Sequence, residues 1–166
     1  MSEYDWSRFV TRINIKAPID KIYWCWATRE GMESWFLRMS EYSNPGNGLK
    51  ANNEMVQKGD HYRWAWFGYP DEVMEEGDIL EANGKDLFKF SFGNAGNCTV
   101  TIKKEEGETI VELLQDNIPT TEQGMHSWHL GCKTGWTFYL ANLKSLLEGG
   151  VDLRNKNEKL ARMINS

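Results

Sequence analysis

The chain has 166 residues, 40% hydrophobic and 26% charged, with a formal net charge of -5. That length suits one domain, 1–166, burying roughly 70% of the surface its unfolded form exposes, and the acidic balance excludes the basic footprint that nucleic-acid binding requires. The 8 Trp and 7 Phe call for either a bulky core or a lined cavity.

Residues 7–16, SRFVTRINIK, alternate, with Phe9, Thr11, Ile13 and Ile15 on one side, which predicts a strand with one buried face. At APIDKIYWCWAT the period changes to that of a helix. Pro18 suits the first turn, Asp20 favours the positive end of the dipole, and Ile22, Tyr23 and Trp26 fall at helical spacing. TREGMESWFL predicts a second short helix ending near Trp35 and Phe36. Residues 40–58 are polar and carry Asn-Pro-Gly-Asn-Gly turn signals, so no element is placed there.

Five alternating segments follow, at 60–67, 75–82, 85–92, 97–104 and 108–115. Turn residues separate them, Asn83-Gly84 being the strongest hairpin signal, and together they predict an antiparallel meander. Phe88, Phe90 and Phe92 share one face, as do Cys98, Val100 and Ile102. This apolar face needs a cover.

Pro119 and Thr120 lead into a helix from about 121 to 148, where Thr120 and Gln123 match the capping-box pattern and Gly149-Gly150 supplies the stop. At 1.5 Å per residue it is roughly 40 Å long, enough to cross a whole sheet. At 100° per residue one stripe holds Met125, Trp128, Cys132, Trp136, Tyr139, Leu140, Leu143, Leu146 and Leu147. Gly131 and Gly135 flank it, which allows close approach to a neighbour or leaves a gap beside a cavity. The domain core spans about 7–148, and the charged tail 149–166 reads as irregular or as a short, frayed helix.

IKAPIDKIYWCWATREGMESWF resembles the N-terminal signature of the START-like, or SRPBCC, superfamily, in which a strand ends at Ala-Pro, a helix carries a Trp and a second helix ends at Trp-Phe. GWTFYLANLKSLLEGGVDLR is similar to the Gly-Trp and leucine pattern of one branch, the homologues of the activator of the 90-kDa heat-shock chaperone ATPase. The resemblance implies an α+β helix-grip fold, birch-pollen-allergen-like, with a curved antiparallel sheet wrapped around the C-terminal helix and an apolar cavity between them.

On that fold the aromatics become candidate ligand contacts. Trp35 and Phe36 either form a lid or pack the short helices. Trp64 and Trp66 point inward and leave Arg63 in solvent; the opposite assignment would make Arg63 an anchor for an acidic head group, at the cost of burying a guanidinium. Phe88, Phe90 and Phe92 face the core from the sheet. Trp128, Cys132, Trp136 and Tyr139 face it from the helix.

No nucleophile elbow, dinucleotide fingerprint or zinc-protease motif appears. His126, His129 and Cys132 spread over about 120° of helix without acidic residues nearby, so neither metal nor other cofactor is expected. Glu112 lies between Val111 and Leu113 and is read as outward-facing. Cys25, Cys98 and Cys132 read as reduced thiols. The first ten residues lack a secretory pattern and no run reaches the 18 apolar residues of a membrane span, so the expected location is the cytoplasm. The expected function is non-enzymatic binding of a small hydrophobic molecule or lipid. The alternative is an interaction domain for a heat-shock chaperone. A cyclase- or hydrolase-like enzyme using His61, Arg63, Glu112 or His129 ranks third.

Overall fold

The computed structural model describes residues 3–166. Strand β1 (Phe9–Asn14) leads into α1 (Ile19–Ala27) and α2 (Arg29–Trp35). The strands β2 (Met39–Asn44), β3 (Gly48–Leu49), β4 (His61–Ala65), β5 (Glu75–Ala82), β6 (Leu87–Ser91), β7 (Asn97–Glu105) and β8 (Glu108–Asp116) follow. Helix α3 (Gly131–Leu147) closes the regular structure. The eight strands form one antiparallel sheet in the order β1-β8-β7-β6-β5-β4-β2-β3. This is the α+β helix-grip architecture, with Trp136, Leu140 and Leu143 of α3 buried in the core.

Alternation explains the meander. Phe88 and Phe90 on β6 pair across to Val100 and Cys98 on β7, and all four are buried. The β5–β6 turn is held by Asn83, whose side-chain oxygen accepts from the backbone N–H of Lys85, Asp86 and Leu87 at 2.9–3.0 Å, while Gly84 takes φ +76°.

Strand β2 corrects the absence of an element at 40–58. Its inward positions, Ser40 and Tyr42, are polar and carry little apolar signal. Their burial is made tolerable by distant partners: Glu33 Oε1 accepts from the Ser40 backbone N–H at 2.8 Å, and the Trp64 indole donates to the Tyr42 hydroxyl at 3.1 Å.

The long helix differs from expectation in its first third. Residues Gly124–Leu130 are π-helical, and the Gly131 N–H donates to the His126 carbonyl five residues back. The wider turn rotates the face presented to the core, so a uniform 100° wheel fails here. His129, off the expected stripe, is fully buried, whereas Met125 and Trp128 are half-buried. The His129 Nδ1 meets the Trp6 carbonyl at 2.9 Å, and its Nε2 meets the Tyr4 hydroxyl at 2.8 Å. A carbonyl only accepts, so Nδ1 carries a proton. The cap also moves by one residue: Thr121, not Thr120, accepts from the Gly124 N–H at 3.1 Å. Gly124 itself is buried against Pro119, with no room for a side chain.

At the other end Gly149 adopts φ +84° and the Gly150 N–H donates to the Ser145 carbonyl at 2.7 Å, a Schellman stop. The tail beyond it contains no helix. It runs back along the body, tethered by Arg154, because a guanidinium can serve several helix-end carbonyls at once. Arg154 donates to the carbonyls of Leu37 at 3.0 Å, Glu33 at 3.1 Å and Ser34 at 3.0 Å, around the end of α2. Asp152 neutralises it at 2.8 Å. Among the described residues no helix is long and apolar enough to cross a membrane.

Candidate ligand-binding site

A cavity of about 500 Å³ lies between the first turns of α3, the ends of β4, β5 and β6, and the tail. The helix contributes Trp128, Gly131, Cys132, Gly135, Trp136 and Tyr139 to its wall. Phe36, just past α2, stacks on Trp136 at 4.9 Å between ring centroids. Trp66 stands edge-on to Phe36 at 5.5 Å, and Phe92 lies 5.9 Å from Trp136. Tyr69 and Val73 form an exposed rim, so the space opens to solvent there.

The two helix glycines border this space and do not serve close packing. A Cβ built on Gly135 would meet nothing within 4 Å, and one on Gly131 would touch only its own helix, at 3.6 Å from the His126 carbonyl. With no side chain at these positions, the helix leaves a gap where a leucine would otherwise close it.

The expected contact residues divide into two sets. Phe36, Trp66, Phe92, Trp128, Cys132, Trp136 and Tyr139 line the cavity. Trp35, Trp64, Phe88 and Phe90 do not; they are sealed in the core. The Trp35 indole is spent on the Cys25 carbonyl at 2.9 Å, and Trp64 lies between Tyr62 at 3.8 Å and Phe90 at 5.0 Å. Trp35, Trp64 and Phe90 support the wall from behind, while Phe88 packs deeper, on Tyr23 and Phe90.

Behind the wall, Gln115 and the Trp136 indole satisfy each other. Gln115, fully buried on β8, accepts from the Trp136 indole at 3.0 Å and donates to the Ala95 carbonyl at 2.9 Å, which fixes the orientation of Trp136. Burial raises the Cys132 thiol above its ordinary value, although a hydrogen bond with Gln115 opposes this, so the thiolate is disfavoured. Cys25 is pushed by burial to about 11. All three cysteines are free thiols.

None of the four polar candidates for an enzyme reaches the cavity. His61 faces Asp78 at 3.2 Å and Arg63 faces Glu76 at 2.9 Å, both on the exposed side of the sheet. Glu112 holds Arg12 at 3.1 Å and Lys103 at 3.2 Å, as an outward position predicts. His129 is committed to Tyr4 and Trp6.

The acidic side chain that does line the cavity is Glu75, at the start of β5. Burial, followed by repulsion from Glu76, raises its pKa above the ordinary value. Its orientation was legible in principle: Glu75, Gly77 and the buried Ile79 alternate onto one face. Parity about Ile79 is the signal that sequence reasoning passed over.

The tail completes the wall with Met163, Ile164 and Ser166. The Tyr139 hydroxyl donates to the Ser166 carbonyl at 3.0 Å. The tether farther back is charged: burial pushes the Asp152 carboxyl up, but hydrogen bonds from Arg154 and Lys156 outweigh it and hold the pKa well below the usual carboxylate range.

The family model described as Activator of Hsp90 ATPase homolog 1-like protein matches residues 16–148, from the end of β1 through α3. The chain belongs to this family. Solved structures with the same fold include protein SSP2350 from Staphylococcus saprophyticus, at 19% identity, TM-score 0.65, covering 89% of this chain and 96% of that one. The Aha1 dimer from Colwellia psychrerythraea is similar at 21% identity and TM-score 0.62, covering 86% and 97%. ChR145 from Cytophaga hutchinsonii is similar at 20% identity and TM-score 0.61, covering 85% and 93%. At these identities the likeness concerns the fold of this family member. No curated protein matches the chain.

Proposed function

We propose that this protein is a non-enzymatic binding module that encloses a small hydrophobic or amphipathic molecule between the sheet and α3. The observation that carries this is the gap beside Gly131 and Gly135, walled by the rings of Phe36, Trp66, Phe92 and Trp136. Its volume of about 500 Å³ falls within the roughly 300–1,000 Å³ usual for small-molecule sites. Filling that much apolar surface favours an occupant by about 25 cal/mol per Å² removed from water.

Native mass spectrometry after exposure to a total lipid extract tests this. One bound mass per chain is expected, lost in Gly135→Leu while the fold is retained. The absence of any bound species, together with flat tryptophan fluorescence on titration with apolar probes, would remove ligand binding as the function.

Family membership favours a second role, association with a heat-shock chaperone. Adding the purified protein to the chaperone and following its ATPase rate tests it; no change in rate and no complex would eliminate the association. Three thiols kept free and buried or half-buried suit a reducing compartment such as the cytoplasm.

A further inference from the structure

We infer that the cavity selects organic cations, taking a protonated alkyl- or arylamine with its ammonium beside Glu75 and its apolar body against the aromatic wall. This rests on the binding function proposed above and adds the charge of the occupant to it.

Strand β5 carries four acids, and three of them have cations. Glu76 pairs with Arg63 at 2.9 Å, Asp78 with His61 at 3.2 Å and Glu81 with Lys58 at 3.0 Å. Those three face outward. Glu75 faces the cavity, and among the described residues no Lys, Arg or His lies within ion-pair distance of it or lines the same space. A carboxyl in a partly buried, aromatic surrounding without a cation is an unfavourable arrangement for the free protein. An ammonium supplied by a ligand removes the cost.

The surroundings match that chemistry. Tryptophan, phenylalanine and tyrosine faces attract cations through the ring quadrupole, most strongly where water is excluded, and Trp66, Phe92, Trp136 and Tyr139 share the wall with Glu75. The titratable neighbours add no competing positive charge. Tyr62 from β4 and Cys132 from α3 both have raised values through burial and stay neutral, and Glu76 on the same strand already has Arg63. A side chain at Gly93, which has φ +52°, would crowd the Glu75 carboxylate and push it aside, so the glycine leaves that carboxylate room. An anionic head group would meet Glu75 with no cation to offset it, and a neutral one would leave the carboxyl uncompensated.

The test is a titration of the full chain at pH 7 with octylammonium, octanol and octanoate, which share one apolar chain and differ in head-group charge, read by tryptophan fluorescence. Octylammonium is expected to bind on the order of tenfold more tightly than octanol, with octanoate weakest. Glu75→Gln should abolish the preference for octylammonium over octanol, while Glu76→Gln, on the outer face, should preserve it. Equal affinity for octylammonium and octanol, or a preference that survives Glu75→Gln, would overturn cation selection and leave apolar binding standing. No saturable signal from any of the three would overturn both.

Discussion

Trp64 and Trp66 stand two residues apart on one side of the same strand direction, and Phe90 and Phe92 do likewise, yet each pair splits. Trp64 and Phe90 are sealed at 0% exposure, whereas Trp66 and Phe92 border open space. Residue type and alternation are the same in the two regions. The difference lies in what stands opposite: Tyr62, Trp64 and Phe90 pack on one another, while part of the wall facing Trp66 and Phe92 is Gly131 and Gly135. An aromatic face is therefore core or pocket according to the volume its counterpart supplies.

The largest expected effect breaks the sealed region. Trp64→Ala should cost about 3–5 kcal/mol, and Trp66→Ala about 1 kcal/mol, because only the former leaves a closed void. Urea denaturation measures both, and equal losses would erase the distinction between the regions.

Next is the tether of the tail. Arg154→Ala removes a buried cation from Asp152 and three carbonyls and should cost about 3 kcal/mol, with Met163 and Ile164 released from the cavity and faster ligand exchange as the readout. The contribution of Asp152 also has a definite sign. Its folded pKa is depressed below the ordinary 3.8, so its stabilisation is present above that value and is lost as pH falls from there through the folded pKa. An acid transition in denaturation that disappears in Asp152→Asn checks it.

The glycines give a smaller pair of opposite effects. Gly124→Ala should destabilise by about 1–3 kcal/mol, since a side chain there overlaps Pro119. Gly135→Ala, with nothing within 4 Å of its Cβ, should stabilise by up to about 1 kcal/mol through helix propensity. A loss at both positions would mean that Gly135 also serves close packing.

The smallest effect concerns Glu75. Its folded pKa is raised above the ordinary 4.5, so stability is fully present below that value and is lost as pH rises through the folded pKa. Glu75→Gln should raise the melting temperature of the ligand-free protein at pH 7 and leave it unchanged below about pH 4. Identical melting curves across that range would show that the carboxyl carries no burial cost.

Strands β5 to β8 were legible because alternation and turn residues act between chain neighbours, as at Asn83-Gly84 and along Phe88 to Phe92. Strand β2 was not, since Ser40 and Tyr42 owe their burial to Glu33 and Trp64, partners that no local pattern announces. The candidate site was half legible. Its aromatic residues were named, but Trp64 and Phe90 could not be separated from Trp66 and Phe92, and Glu75 required the parity set by Ile79.

By itself, then, the sequence determined the order of strands and helices, the apolar faces, the stop at Gly149 and the family resemblance, all of which depend on spacing along the chain. Only the tertiary structure decided where the π-helical turns rotate His129 inward, how Arg154 ties the tail to α2, and which aromatics meet empty space. A cavity is the volume left between surfaces contributed by residues far apart in the chain, so it is a property of their assembly and has no local signature.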